Sequence, residues 1–179
     1  MIRMLIFLVG TFIRNKKIFS SYQFLKKSDN WSLEKLEHYQ LQKCKELLQW
    51  AYNNSEFYRK KFDEHKVNPS HLRSLSDLKK FPITTKTELL SFNKEIQITH
   101  GFKKLFFSET SGSTGEPLIF YRDDEWDARH RAAIFRGYSW YGVKPWEKNG
   151  YFWGYNIDPK KQRKIKLLDW LVNRFRIFS

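Results

Sequence analysis

The chain has 179 residues and is strongly basic, with 33 Lys and Arg against 19 Asp and Glu and a formal charge of +14. An apolar content of 41% and an aromatic content of 18% exclude a disordered segment, and a single cysteine, Cys44, excludes an internal disulfide. The charge suits polyanions in general, yet no helix-turn-helix, zinc-finger or RNP pattern accompanies it, so no nucleic-acid partner is expected.

The chain opens with MIRMLIFLVGTFIRNKK, in which an apolar run over residues 4–13 is far short of the roughly 20 residues that span a bilayer. Arg3 ahead of an apolar stretch imitates a signal peptide, but Arg14, Lys16 and Lys17 follow with no small-residue cleavage site. The segment 1–31 is therefore expected to be an amphipathic helix lying on the protein or on the inner face of a membrane, in a cytoplasmic chain. From Ser32 onward the spacing is helical: Leu33, Leu36, Cys44, Leu47, Leu48 and Ala51 share one stripe opposite Lys and Glu. Ser32 is the expected N-cap, Cys44 reads as core, and Asn53, Asn54 and Ser55 break the pattern before a short helix through Phe57, Tyr58 and Phe62. Residues 67–78, with Pro69 and several Ser, read as a turn and a short helix.

Pro82 then ends one element, and Thr85 with Glu88 three residues later forms a capping box that opens another. Two strand-like runs follow, over residues 105–107 and 118–121, flanking a loop rich in Ser, Thr and Gly. Asp123 or Asp124 is placed to cap a helix through Trp126, His130, Ala133 and Tyr138, which Gly142 and Pro145 stop. Residues 151–154 read as a strand, 164–172 as a basic amphipathic helix, and the final VNRFRIFS as a strand-like run. The order predicts an α/β fold with a helical N-terminal region followed by a partial mixed sheet, divided into residues 1–31 and 32–179.

Several residue groups have simple structural readings. Trp126, Trp140, Trp146 and Trp153 are expected in the core, because buried aromatics dominate cores. His38, His65, His71, His100 and His130 have no triad or metal partners in the pattern. Asp123, Asp124 and Glu125 could bind magnesium, but capping explains them more simply. The basic run at residues 160–166 reads as a solvated helix face.

The loop carries the chemistry. Thr110, Ser111, Gly112, Ser113, Thr114 and Gly115 bring closely spaced backbone N–H groups, glycines that leave room for an oxyanion, and hydroxyl donors. The pattern is not GxxxxGK(S/T), since Glu116, Pro117 and a strand follow, nor is it GxGxxG. On composition alone a Ser/Gly-rich turn is the simpler reading.

The TSGSTGEP segment, however, resembles the phosphate-loop signature of adenylate-forming ligases, TSG(S/T)TGxP. LLQWAYNNSEFYRKKF, LKKFPITTKTELL, TSGSTGEPLIFYRD and WYGVKPWEKNGYFWG follow one another in the order found in the phenylacetate–coenzyme A ligase family. The resemblance covers roughly residues 30–179 and is nearest to the family's capsular-polysaccharide branch. It implies an incomplete adenylate-forming N-terminal domain that uses ATP and Mg2+ to turn a carboxylate into an acyl-adenylate for coenzyme A or another acceptor. By match to the motif, residues 110–115 would hold the leaving β- and γ-phosphates. Glu116 departs from the Lys frequent at that position, and Arg122 or Lys104 is the cation expected to offset it. The family's aromatic-Gly-x-(Ser/Thr)-Glu segment, ribose-binding Asp and terminal adenylation Lys lie beyond Ser179 in the family pattern. The chain thus reads as the first part of a ligase, weak or inactive alone and completed by a C-terminal part. The other reading is a non-enzymatic basic module docking on an anionic membrane or polymer.

Overall fold

A computed structural model describes residues 1–110, 115–152 and 159–176, and the chain divides into two units. Unit 2 is the continuous stretch Asn30–Asp124; unit 1 combines Met1–Asp29 with Glu125–Ser179. The expected α/β class is what the structure has, with the strands in two small sheets, one antiparallel and one parallel.

Unit 2 begins with α3, Leu33–Asn54, after the two helices of unit 1. Ser32 is extended, with φ −63° and ψ 157°, and its hydroxyl accepts from the Lys35 N–H, satisfying one of the donors a helix start leaves open. Ser55 ends α3 and caps α4, Glu56–Glu64, accepting from the Tyr58 N–H while donating to Glu95 O at 2.9 Å. Two 3-10 turns follow, Pro69–His71 and Leu75–Lys80, then α5, Lys86–Ser91, and α6, Asn93–Ile96. The Thr85–Glu88 capping box is present in both directions. Phe62 and Leu72 form the buried apolar centre, with the Phe62 ring 5.2 Å from Phe81. Lys61 reaches from α4 to Glu88 on α5 at 2.6 Å.

The apolar stripe of α3 is not a core face: Leu33 is 70% and Leu47 64% exposed, and Cys44 is only half-buried. Periodicity marks an amphipathic helix but not what covers it. Here α4 and the two short 3-10 turns cover only part of a long helix.

The hairpin closes unit 2. β1, Leu105–Glu109, pairs antiparallel with β2, Ile119–Asp123, from Leu105 opposite Asp123 to Glu109 opposite Ile119. Phe106, Ser108, Phe120 and Arg122 alternate onto the more buried face; Phe107, Glu109, Ile119 and Tyr121 face out. The free edge of β2 is tied down by α6 and the residue that follows it. Asn93 Nδ2 and Gln97 Nε2 both donate to Ile119 O at 2.9 Å, and Gln97 Oε1 accepts from the Tyr121 N–H at 2.9 Å. Two amide side chains thus satisfy backbone groups that an edge strand would leave open.

Unit 1 holds α1, Ile2–Asn15, and α2, Lys17–Ser28, with α7, Asp124–Trp140, from its second residue on. Phe7 packs on Phe135 at 5.5 Å and Trp146 at 6.1 Å between ring centres, while Ile18, Ala128 and Ala132 are buried. β3, Asn149–Tyr151, and β4, Arg174–Arg176, pair in parallel, joined across α8, Pro159–Leu171, because parallel neighbours need a crossover. At Gly150 a Cβ would stand 2.7 Å from the ring ends of Phe152 and Phe175, both partly exposed, so a side chain there would push those rings aside.

The tryptophan expectation is corrected in part. Trp126 and Trp140 are 42% and 61% exposed; Trp126 stacks on His130 one turn along the helix, and Trp140 Nε1 donates to Asp29. Helix-surface partners hold these rings, so neither needs the interior. Trp146 is half-buried, and Trp153 lies outside the described residues. In α8, Arg163, Lys164 and Lys166 are exposed, as a solvated face requires.

Candidate functional site

The sequence-predicted loop sits at the tip of the β1–β2 hairpin, giving the strand–loop–strand order read from the motif. Thr110 forms its neck. Its N–H donates to Leu118 O at 3.0 Å, and its Oγ1 accepts from the Leu118 N–H at 2.9 Å. The Thr110 backbone donor is thus committed to closing the hairpin, and its hydroxyl proton is what remains to offer. Ser111, Gly112, Ser113 and Thr114 lie outside the described residues. Gly115 has φ +125°, a conformation that L side chains rarely adopt, and open space where a Cβ would stand.

The neck is closed by backbone and hydroxyl bonds, and Asn93 of α6 together with Gln97 anchors the strand behind it. Asn93 and Gln97 are the residues missed in the sequence. Their signal was an amide pair spaced i, i+4 shortly before a hairpin, which reads as helix surface until a partner edge is known.

The cations expected to offset Glu116 are not at the tip. The register puts Arg122 about 10 Å of strand from the loop end, and Lys104, just before β1, about 17 Å from it. Lys104 Nζ instead lies 4.8 Å from the Phe106 ring centre. Glu116 itself is exposed, so solvent screens its charge.

The acidic trio is likewise apart from the loop. Asp123 closes β2 opposite Leu105, Asp124 opens α7, and Glu125 pairs with Arg129 and Lys17 at 3.1 and 3.3 Å. Among the described residues no three His, Cys, Asp or Glu side chains gather to hold a metal ion. His65 Nδ1 stands 2.8 Å from Lys61 O, a helix-end contact. Among the described residues no helix is long and apolar enough to cross a membrane.

A helical unit carrying an antiparallel hairpin, with Gly115 at positive φ where the connection returns toward β2, is the class of domain the described residues define. The comparisons carry this further. The chain is 37% identical over 89 residues to a phenylacetate-coenzyme A ligase of Escherichia coli, and 36% over 89 residues to the ligase of that name from Aromatoleum evansii. In each case the match covers 49% of this chain and 20% of the relative. A Thermus thermophilus phenylacetate-coenzyme A ligase is 32% identical over 95 residues, 48% of this chain and 20% of its own length. No family model matches the chain. The resemblance drawn from the motifs is thus supported over about half the chain, and the matches span about one fifth of the length of these relatives.

Proposed function

We propose that this chain supplies the phosphate-gripping part of an adenylate-forming ligase of the phenylacetate–coenzyme A ligase type. In this reading Ser111, Gly112, Ser113, Thr114 and Gly115 hold the β- and γ-phosphates of ATP through N–H groups and hydroxyls, and Thr110 keeps the neck closed. ATP with Mg2+ supplies the leaving pyrophosphate when a carboxylate is adenylated; preorganised donors aimed at that developing charge are commonly the largest catalytic term. The acceptor is coenzyme A or another nucleophile, and the setting is capsule or surface-polysaccharide synthesis in the cytoplasm. The remaining functions of the ligase come from a further C-terminal part.

The observation that carries this reading is the hairpin tip, where TSGSTGEP lies between paired strands with Gly115 at positive φ. Carboxylate-dependent ATP–pyrophosphate exchange tests it. Exchange is expected to be absent from these 179 residues alone and to appear when they replace the matching fifth of a relative ligase. It should then fall about 100-fold on removal of one loop donor, as in Ser113→Ala. A chimera that folds and exchanges equally well with Ser113→Ala would contradict the assignment.

A second reading is favoured by α1. Ile2, Leu5, Val9, Phe12 and Ile13 form one exposed apolar stripe, with Arg3, Arg14, Lys16 and Lys17 about it. This pattern suits a helix seated at an anionic lipid surface. Sedimentation with phosphatidylglycerol vesicles, lost with Leu5→Glu and unaffected by Ser113→Ala, is the expected result. The two readings are compatible: a ligase part held at the inner membrane face.

A further inference from the structure

Unit 1 contains a cavity of about 90 Å³ that the ligase reading does not use. Phe7, Ile18 and Phe135 give it apolar walls, and three guanidinium side chains reach it: Arg14 from α1, Arg131 from α7 and Arg174 from β4. Tyr138 and Tyr151 also line it, with their hydroxyls hydrogen-bonded to each other.

The charges around it do not cancel among the described residues. Asp127, only 6% exposed, accepts from Arg14 at 3.1 Å and from Arg131 at 3.3 Å. Asp169, 5% exposed, takes Arg176 at 2.7 Å and Arg174 at 3.7 Å. Two carboxylates therefore serve four guanidinium groups, and neither carboxylate lines the cavity. Arg131 registers the imbalance: burial first, then the charge of Arg14, pushes its pKa below the ordinary arginine value. A guanidinium does not relieve such crowding by losing its proton, and Arg14 and Arg131 keep part of their solvation, so a counter-anion would add to what water already provides.

We propose that this cavity binds one phosphate-sized oxyanion, with Arg14, Arg131 and Arg174 as the charge and the hydrogen-bonded hydroxyl pair of Tyr138 and Tyr151, one proton of which is committed between them, as one further donor. Three guanidinium groups arriving from three elements suit an anion whose oxygens point in several directions, whereas a planar carboxylate is satisfied by one bidentate arginine. The volume admits a few waters or one tetrahedral oxyanion, not a nucleoside. The ligand is therefore free phosphate or the terminal phosphate of a monoester whose remainder stays outside. The proposal is independent of the ligase reading, since the hairpin belongs to unit 2.

The test is calorimetric titration of the full chain with inorganic phosphate at fixed ionic strength, against chloride, acetate and glycerol phosphate. The chain carries Ser113→Ala and Thr114→Ala to weaken any contribution from the loop. Phosphate should bind and raise the unfolding temperature, while chloride and acetate do neither. Arg14→Gln and Arg174→Gln should each weaken phosphate binding at least tenfold. Each leaves its carboxylate paired with the other arginine, and an unchanged near-UV spectrum verifies the packing. Tyr151→Phe, which keeps the ring beside Arg174 and removes the hydroxyl paired with Tyr138, should weaken binding several-fold and needs no repacking of charge. Glycerol phosphate binding as tightly as phosphate identifies a monoester site; phosphate alone binding identifies a site for the free anion. Phosphate behaving like chloride, acetate matching phosphate, or correctly folded variants that bind like the parent would overturn the proposal.

Discussion

The two units reach their folds by different routes. Unit 2 is one continuous stretch whose turns are written in single residues: Ser32, Ser55 and Thr85 each cap a helix that starts beside them. Unit 1 joins the first 29 residues to the last 55 or so, and its contacts reach across that gap. Phe7 meets Phe135, and Arg14 meets Asp127, with more than a hundred residues between the partners. Local capping stabilises the first kind of unit; distant aromatic contacts and charge pairs assemble the second. The difference teaches where sequence reading succeeds, because a cap is visible within four residues and a distant pair is not.

Disturbing the centre of each unit is the strongest way to break this contrast. Phe62→Ala should cost unit 2 about 3–5 kcal/mol, since a fully buried ring that touches Phe81, Tyr58 and Tyr52 leaves a cavity. Hydrogen exchange resolved by residue would follow the loss, and protection in unit 2 that survives the change would show that its core lies elsewhere. In unit 1 the matching change is Asp127→Asn, expected to cost about 2 kcal/mol. A fully buried pair would cost more, but Arg14 and Arg131 keep part of their solvation. Burial alone would raise the Asp127 carboxyl; Arg14 and Arg131 outweigh it and hold the pKa below the ordinary aspartate value. A depressed folded-state pKa gives stability that is full above the unfolded value near pH 4 and is lost as pH falls through the folded one. Acid titration of unit 1 should therefore flatten in Asp127→Asn.

Smaller changes sharpen the picture. Ser55→Ala removes a buried cap and its bond to Glu95 O, and about 1–2 kcal/mol of stability should go with it in denaturant unfolding. The Glu88 carboxyl is lowered to about 2 by the Lys61 ammonium and then by the Thr85 N–H. Its contribution is full above about pH 4.5 and fades toward pH 2. Glu88→Gln should therefore cost little near pH 2 and most near neutrality; the opposite trend would mean that the Lys61 contact does not persist in solution.

The legibility of the molecule follows the same division. The caps at Ser32 and Thr85, the break at Ser55, and both strands of the hairpin were readable, because each depends on residues a few positions apart. The fate of apolar stripes was not. Leu33 and Leu47 recur at helical spacing, yet nothing local says how much of a long helix α4 and two short turns will cover. For the candidate site, the placing of the Ser/Thr/Gly segment between two strands was legible, whereas the anchorage of β2 by Asn93 and Gln97 depends on which strand edge faces α6. The arginine-lined cavity of unit 1 had no sequence signal at all. Arg14, Arg131 and Arg174 meet only because the two halves of that unit fold together.

The most direct test of the central claim is pyrophosphate binding by the chain with Arg174→Gln in place, which weakens the unit 1 cavity, so that the difference between parent and loop variants reads the hairpin tip. Gly115 needs φ +125°, which alanine resists, so Gly115→Ala should distort the loop, and Ser113→Ala should remove a donor. Each lost charge-assisted bond is worth about 1.5–3 kcal/mol, so either change should weaken pyrophosphate binding roughly 10- to 100-fold with unit 2 still folded. Equal binding by the parent and both variants would contradict the claim that this loop grips phosphate.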